Sequence, residues 1–249
     1  MVVLYNKKII DIVNQDYTSA AVLYYFGIDF CQDADLTLEE VCRVKNITLE
    51  SVMDRLQKPA HASLSIDTVL KETPLHLLIA YLKHQHHVFI KQRLTYVEKL
   101  ISNLIEQGVT ASLERDLKFV FPLFKEDFIK HVFHEEDTLF NYIQVLAEAE
   151  SSPVQLGKAY LLMQRYSIEN FSDEHHTQEH EMKGVQTITS NYALQDTYSL
   201  QLKVIVSELS TFDMELAVHA QIENDILFPK ALALEKRIQK RIHHIAVLN

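Results

Sequence analysis

Two stretches of the sequence carry the same arrangement of a histidine, a glutamate and an apolar pair. HVFHEEDTLF begins at His131, HAQIENDILF begins at His219, and both fit the pattern H-x-x-x-E-x-x-x-L-F. Residues four apart lie on one face of an α-helix, so each stretch directs one imidazole and one carboxylate to the same side. A single such pair is usually a solvated contact. Agreement over four defined positions, repeated after 88 residues, indicates a shared chemical role.

Buried imidazoles and carboxylates are costly without compensating charge, so a cluster of them favours bound cations. This mixture of nitrogen and oxygen ligands suits iron, manganese, zinc or copper rather than calcium. We therefore predict a site for two metal ions, bridged by Glu135 and Glu223. The six predicted ligands are His87, His131, Glu135, His180, His219 and Glu223.

Two histidine-rich segments, HQHH at 84–87 and HHTQEH at 175–180, could complete this site. From the first segment the spacing leaves both His87 and His84 as candidates, because they lie one helical turn apart. From the second we predict His180, with His176 as its competitor.

A third histidine–glutamate pair is interpreted differently. His175 and Glu179 also lie four residues apart, but no Leu-Phe pair follows them. We interpret this pair as an ordinary surface contact.

The scarcity of turn residues predicts an all-α fold. The 249 residues include only 4 Gly and 5 Pro, too few for the many tight turns of a strand-rich protein. Hydrophobic periodicity and turn signals predict four long antiparallel helices, arranged as a four-helix bundle of two related hairpins. The predicted helices cover 74–107, 111–148 with a kink or new start at Pro122, a third to 191 interrupted near Phe171–Asp173, and 195–240.

The domain organisation follows from the same signals. Residues 1–58 are predicted to form a small helical domain that carries both cysteines. The polar, small-residue segment around KPAHASLSIDT predicts a linker over 59–73, and the bundle then occupies 74–249. Within the small domain, Gly27 is expected to end a helix, and Thr37 with Glu40 is expected to begin one as a capping box.

Charge and segment composition exclude several classes of function. A net charge of −10 argues against a nucleic-acid surface, which needs clustered Lys and Arg. We expect no secretory signal and no membrane span, because the apolar runs are short. Two cysteines, Cys31 and Cys42, do not make a disulfide framework, so the cytoplasm is the expected compartment. H-E-x-x-H and E-x-x-H motifs are both absent, which excludes zincin and ferritin-like sites.

The motifs resemble those of a known family. HVFHEEDTLF, HAQIENDILFPKAL and the EH of DEHHTQEHEMKG look like the hemerythrin HHE cation-binding domain. HHVFIKQRLTYV resembles the first-helix motif of that domain, in which the second histidine is the ligand, and this favours His87 over His84. The N-terminal YYFGIDFCQDADLTLEEVC resembles the cysteine-bearing domain of the repair-of-iron-centres family of di-iron proteins. That family has two adjacent cysteines, whereas here Gln32 follows Cys31.

The resemblance implies two non-haem iron ions with an oxo bridge, and the restoration of iron–sulfur clusters damaged by nitric oxide or peroxide. Its implied partners are damaged iron–sulfur proteins, together with oxygen, nitric oxide or peroxide as small ligands. Two alternatives use the same ligands: a sensor or binder of oxygen or nitric oxide, and a reductase of nitric oxide or peroxide. The small size of the N-terminal unit also predicts either a homodimer or the docking of this unit on the rest of the chain.

Overall fold

A computed structural model describes residues 4–57, 68–178 and 182–248 of the chain. These residues form helices and turns, and the only β-type pairing among them is one isolated bridge between Lys8 and Thr37. The predicted all-α helical bundle is therefore confirmed. None of the described helices is both long enough and apolar enough to cross a membrane.

The helix bounds follow the predicted segments closely, although each predicted long helix is divided. In chain order the α-helices are α1 (Ile9–Gln15), α2 (Ser19–Tyr25), α3 (Leu38–Lys45), α4 (Leu49–Gln57), α5 (Thr68–Glu72), α6 (Leu75–Val88), α7 (Leu94–Ser102), α8 (Ala111–Glu135), α9 (Asn141–Ser151), α10 (Leu156–Met163), α11 (Ile168–Gln178), α12 (Lys183–Ile188), α13 (Leu200–Ile222) and α14 (Phe228–Leu248).

Three five-residue π-helical turns join consecutive α-helices. They cover Phe89–Arg93 between α6 and α7, Glu136–Phe140 between α8 and α9, and Glu223–Leu227 between α13 and α14. A π turn carries i→i+5 hydrogen bonds and is frequent at functional sites. No pattern in the sequence predicted these turns.

Two predicted breaks differ from the structure. α8 runs through Pro122, so the new helix start expected there as one alternative is wrong, while the other alternative, a kink, stays a prediction. In the third segment the break falls between α10 and α11, at 164–167, so Phe171 lies inside α11. The predicted helix end at Gly108 is also displaced, because α7 already ends at Ser102.

The described residues divide into two compact units. The first comprises the described parts of Met1–Leu64, Thr95–Phe121 and Gly184–Asp213. The second comprises the described parts of Ser65–Leu94, Pro122–Lys183 and Met214–Asn249. The predicted boundary at residue 58 and most of the predicted linker at 59–73 fall on 58–67, which lie outside the described residues. The division at 58 therefore stays a prediction.

The helix-end signals of the first unit are confirmed. After α2, Gly27 has a φ of +78° and donates its N–H to the Tyr24 carbonyl, while Ile28 N–H bonds to Leu23. Glycine enters this left-handed region at no steric cost, which is why it closes the helix here. Before α3, the Thr37 side chain accepts from Glu40 N–H and the Glu40 carboxylate accepts from Thr37 N–H.

The core of the second unit is apolar and lies among α6, α9, α10, α11 and α14. Leu78 and Leu82 of α6 contribute to it, with most of the buried face of α9. The Leu-Phe pairs of the two repeated motifs are also in this core: Leu139 and Phe140 are 3% and 1% exposed, and Leu227 and Phe228 are 0% and 4% exposed. The apolar ends of the motifs thus anchor the helices that carry the histidines and glutamates.

The capping box at the start of α3 yields a local stability prediction. Thr37→Ala removes the hydroxyl that accepts from Glu40 N–H and donates to the Glu40 carboxylate. We therefore expect α3 to lose about 1 kcal/mol of local stability. Hydrogen exchange of α3 peptides should accelerate about fivefold. Thr18→Ala is the matched control, because Thr18 precedes α2 without a side-chain cap bond. Unchanged exchange in α3 of the Thr37 variant would contradict the assignment.

Candidate metal centre

Four buried side chains from separate parts of the second unit converge at one point. They are His86 of α6, Glu135 at the end of α8, His219 of α13 and Glu223 in the following π turn. One ligand atom from each lies within 4.8 Å of the others. Their exposed fractions are only 2%, 5%, 7% and 0%. Burying four polar groups costs free energy unless hydrogen bonds or opposite charges compensate for the lost hydration.

The close approaches in the cluster are between imidazole nitrogens and carboxylate oxygens. His86 Nε2 lies 3.4 Å from Glu135 Oε2, and His219 Nε2 lies 3.1 Å from Glu223 Oε1. A fifth side chain joins from α11, where His175 Nε2 lies 2.8 Å from Glu223 Oε2. His131 is half-buried one turn before Glu135, and its ring centroid lies 6.1 Å from that of His175.

The outer ring nitrogens fix the direction in which two of the histidines present their lone pairs. His86 Nδ1 is 2.9 Å from a Glu136 carboxylate oxygen, and His219 Nδ1 is 2.9 Å from Gln85 Oε1. Both partners are acceptors, so both Nδ1 atoms carry the proton. In neutral imidazoles the two Nε2 atoms then hold lone pairs, and they face each other at 3.0 Å. Two lone pairs at this distance repel each other unless a proton or a metal ion lies between them.

The two glutamates reinforce this need. All four carboxylate oxygens of Glu135 and Glu223 are buried and accept no hydrogen bond of regular geometry. Burial raises the pKa of Glu135 to about 7, and the neighbouring charge of Glu223 adds to the effect. Burial also opposes ionisation of Glu223, but the imidazoles of His219 and His175 outweigh it and hold the pKa of Glu223 well below its usual range.

The same competition governs His86. Burial alone would lower the pKa of His86, but its contacts with Glu135 and Glu136 outweigh burial and raise it. Without metal, the cluster therefore retains protons where a metal ion would otherwise neutralise the carboxylates.

The Leu-Phe pairs of the two motifs explain why the motifs repeat. Phe140 of the first motif stacks on His86, with centroids 5.7 Å apart and planes at 7°. Phe228 of the second motif meets His175 edge-on at 5.5 Å and 65°. Each motif thus supplies a phenyl ring that packs against a histidine from another helix. His86 stacks on its phenyl ring, whereas His175 meets its ring edge-on.

The π turns start at or next to these ligands. Glu135 directly precedes one turn, Glu223 is the first residue of another, and a third begins at Phe89, whose ring packs edge-on against His219 at 5.6 Å. A π turn displaces the residues after it relative to a regular helix. The Leu-Phe pairs can then face the core while the glutamates face the cluster.

The structure brings three of the six predicted ligands, Glu135, His219 and Glu223, together in the cluster, and it places His131 one helical turn before Glu135. His131, Glu135, His219 and Glu223 lie in or beside the cluster. His87 does not reach it: its side chain is exposed, and its neighbour His86 takes the inward position.

A sequence signal for this choice was present. Leu78, Leu82 and His86 follow one another at intervals of four along the buried face of α6.

On the third segment, His180 lies outside the described residues. His175, which we interpreted as a surface residue, is instead 11% exposed and contacts Glu223. The interpretation of His175 as a surface residue was therefore wrong, while its predicted partner Glu179 lies outside the described residues. The 88-residue repeat could not have identified His175 correctly, because the same offset maps the inward-facing His86 onto Glu174.

The donor set fits a transition-metal ion. Metal–nitrogen bonds of about 2.1 Å place neighbouring ligand atoms about 3 Å apart, which agrees with the contacts of 2.8–3.4 Å in the cluster. Imidazole with carboxylate suits iron, manganese or zinc. Buried carboxylates without regular hydrogen bonds are the ligands that such ions would satisfy.

Comparisons with known proteins agree with this chemistry. Residues 5–60 match the family model ScdA_N, described as a domain of unknown function (DUF542). The chain is 20% identical over 228 residues to the iron–sulfur cluster repair protein ScdA of Staphylococcus haemolyticus, covering 90% of this chain and 98% of that protein. It is 23% identical over 211 residues to the iron–sulfur cluster repair protein YtfE of Yersinia pseudotuberculosis, covering 82% of this chain and 87% of the relative. The same figures hold for YtfE of Yersinia pestis. The predicted resemblance to the repair-of-iron-centres family is confirmed.

The raised pKa of Glu135 predicts how the metal-free protein responds to pH. The folded carboxyl titrates near 7 and an ordinary one at 4.5, so its stabilising contribution is full below pH 4.5 and is lost as the pH rises through 7. The loss is roughly 3 kcal/mol. Glu135→Gln, which stays neutral, should therefore be more stable than the parent chain at pH 8 but similar at pH 5. Urea unfolding of chelator-treated protein measures this. Parallel pH profiles for the two proteins would contradict it.

Proposed function

We propose that this chain, which is similar to iron–sulfur cluster repair proteins over most of its length, holds two non-haem iron ions and supplies iron to damaged iron–sulfur clusters. The main support for the proposal is that the buried carboxylates of Glu135 and Glu223 lie beside inward-facing imidazoles and have no regular hydrogen bonds. The names of the relatives support the biological role. The donor chemistry supports iron as one of the metals that suit the site.

The proposed ligand set contains four histidines and two glutamates, two residues of which differ from the set expected from sequence. Contact of His86 and of His175 with the phenyl ring of a motif, stacked in one case and edge-on in the other, supports their place in this set. The proposed ligands are His86, His131, Glu135, His175, His219 and Glu223.

The surrounding residues would orient and shield these ligands. Glu136 and Gln85 hold the outer nitrogens of His86 and His219, and Gln85 in turn donates to the Tyr81 hydroxyl at 2.9 Å. Partners of this kind fix the ring orientation and raise ligand basicity. Phe140 and Phe228 cover the imidazoles and keep water from the carboxylates. When bound, the iron pair would supply Lewis acidity, one-electron chemistry and coordination positions for oxygen, nitric oxide or peroxide.

The net charge of the proposed ligands supports reversible binding of iron. Two carboxylates cannot neutralise two divalent ions, and neutral histidines add no negative charge. An incompletely neutralised pair of ions is held less firmly than in a closed thiolate site of the structural type. We propose that this difference lets the chain pass iron to a cluster whose sulfide and thiolate ligands bind it more strongly.

The free thiols support a reducing compartment. Cys31 and Cys42 form no disulfide, which agrees with action in the cytoplasm, where the damaged iron–sulfur proteins would be its partners. A homodimer remains a prediction.

The first test is the iron content of histidine variants. After anaerobic reconstitution we expect two iron ions per chain in the parent protein. His86→Ala should lose at least half of this iron, because it removes a ligand. His87→Ala and His84→Ala are matched controls from the same histidine-rich segment, with exposed side chains, and should keep it. His175→Ala and His180→Ala form the corresponding pair on the third segment. Iron loss in the His87 variant with retention in the His86 variant would contradict the proposed set.

The second test follows the iron itself. The chain would be loaded with the isotope ⁵⁷Fe and mixed with an enzyme whose [4Fe–4S] cluster has been damaged by nitric oxide. We expect recovery of enzyme activity together with transfer of the label into the cluster, seen by Mössbauer spectroscopy. Reversible binding of oxygen or nitric oxide without recovery would favour the sensor. Catalytic consumption of nitric oxide or peroxide without label transfer would favour the reductase.

A further inference from the structure

A cavity of about 220 Å³ lies within the first unit, apart from every proposed metal ligand. It is bounded by the loop after α2 on one side and by α7 on the other. The polar and aromatic residues of its wall include Tyr24, Asp29, Cys31, Tyr96, Lys99 and Gln201. Nothing in the proposed iron chemistry uses this cavity.

The hydroxyl of Tyr96 is the feature that points to a ligand. Tyr96 is only 1% exposed, and its buried oxygen has no hydrogen-bond partner. Burial raises the pKa of Tyr96, and the negative charges of Glu208 and Asp29 add to the effect, so the hydroxyl keeps its proton. A buried donor without an acceptor is costly, and few native proteins retain one. An acceptor in the cavity would remove this cost.

The charges of the wall favour a neutral molecule. Lys99 Nζ lies 3.9 Å from Asp29 Oδ2 and 4.9 Å from the centre of the Tyr24 ring, so its charge already has partners. The one acid and the one base of the lining cancel. An anionic ligand would be repelled by Asp29 and a cationic ligand by Lys99. Either ion would also lose the free energy of its hydration on entering the cavity.

The volume of the cavity and its apolar wall limit which ligands can bind there. Water occupies about 30 Å³ per molecule, so the cavity is far larger than one water needs. It is smaller than the roughly 300–1,000 Å³ typical of sites for drug-sized ligands. Ile28, Phe30 and Leu100 supply apolar surface in the same wall, and all three are buried. A compact molecule with one polar end and one apolar body matches this lining.

We propose that this cavity binds a small neutral molecule that presents a carbonyl oxygen to the Tyr96 hydroxyl and an apolar body to Phe30 and Leu100. The amide of Gln201 lies in the same wall and already donates to the Leu100 carbonyl at 3.1 Å, so its position is fixed. Binding at this site is independent of iron.

Protection of Cys31 tests the proposal on the whole 249-residue chain. Benzamide is the neutral probe, and benzoate and benzylamine are its anionic and cationic counterparts of similar shape. Because Cys31 is exposed and lies in the wall, a bound probe should slow its reaction with methyl methanethiosulfonate. Cys42 is buried and outside the cavity, so its slow reaction is an internal control for unfolding. Peptide mass spectrometry follows both residues.

We expect benzamide to protect Cys31 in a saturable manner and the two charged probes to protect it at least tenfold less well. Tyr96→Phe keeps the ring but removes the donor, and should weaken benzamide binding about tenfold. Tyr198→Phe alters a buried tyrosine outside the cavity and should leave binding unchanged. Absence of protection, equal protection by all three probes, or unchanged affinity in the Tyr96 variant would overturn the proposal. The comparison of probes on the parent chain holds even if a variant fails to fold.

Discussion

Two carboxylates of like charge lie in the dry interior of the second unit, and the arrangement around them follows from that constraint. Neither Glu135 nor Glu223 has a regular hydrogen bond to its oxygens, and no Lys or Arg is paired with either among the described residues. Isolated buried charge of this kind is strongly unfavourable unless protons or metal ions compensate it. The inward imidazoles, the acceptors behind them and the raised pKa of Glu135 are the consequences in the metal-free chain.

The sequence predicted which types of residue form the cluster better than it predicted which residue of α6 faces the cluster. The repeated histidine–glutamate spacing identified three side chains of the cluster, Glu135, His219 and Glu223, because i and i+4 share a face in any regular helix. It could not separate His86 from His87, since adjacent residues differ by about 100° around the helix and both lie in a histidine-rich run. The choice depends on which face meets the core, which the positions of Leu78 and Leu82 decide.

The π turns limit prediction in a second way. A regular period of 3.6 residues fails across a turn with i→i+5 bonds, and three such turns lie at the cluster. The Leu-Phe pairs were visible in the sequence, but their role was not, because it requires each phenyl ring to reach a histidine of a different helix. His175 was missed for the same reason: its partner Glu223 is distant in sequence, and its local spacing to Glu179 suggested a surface pair.

Two predictions made from short signals at helix ends agree with the structure. The capping box at Thr37 and the left-handed Gly27 depend on only a few neighbouring residues, so tertiary packing did not alter them.

The central claim is that the two buried glutamates are held together by iron. Anomalous diffraction at the iron absorption edge, from crystals of the iron-loaded chain, tests it most directly. We predict two separate peaks between Glu135 and Glu223, with His86 and His175 among the nearest side chains. Density for iron at His87 or elsewhere on the surface, with none between the two carboxylates, would contradict it.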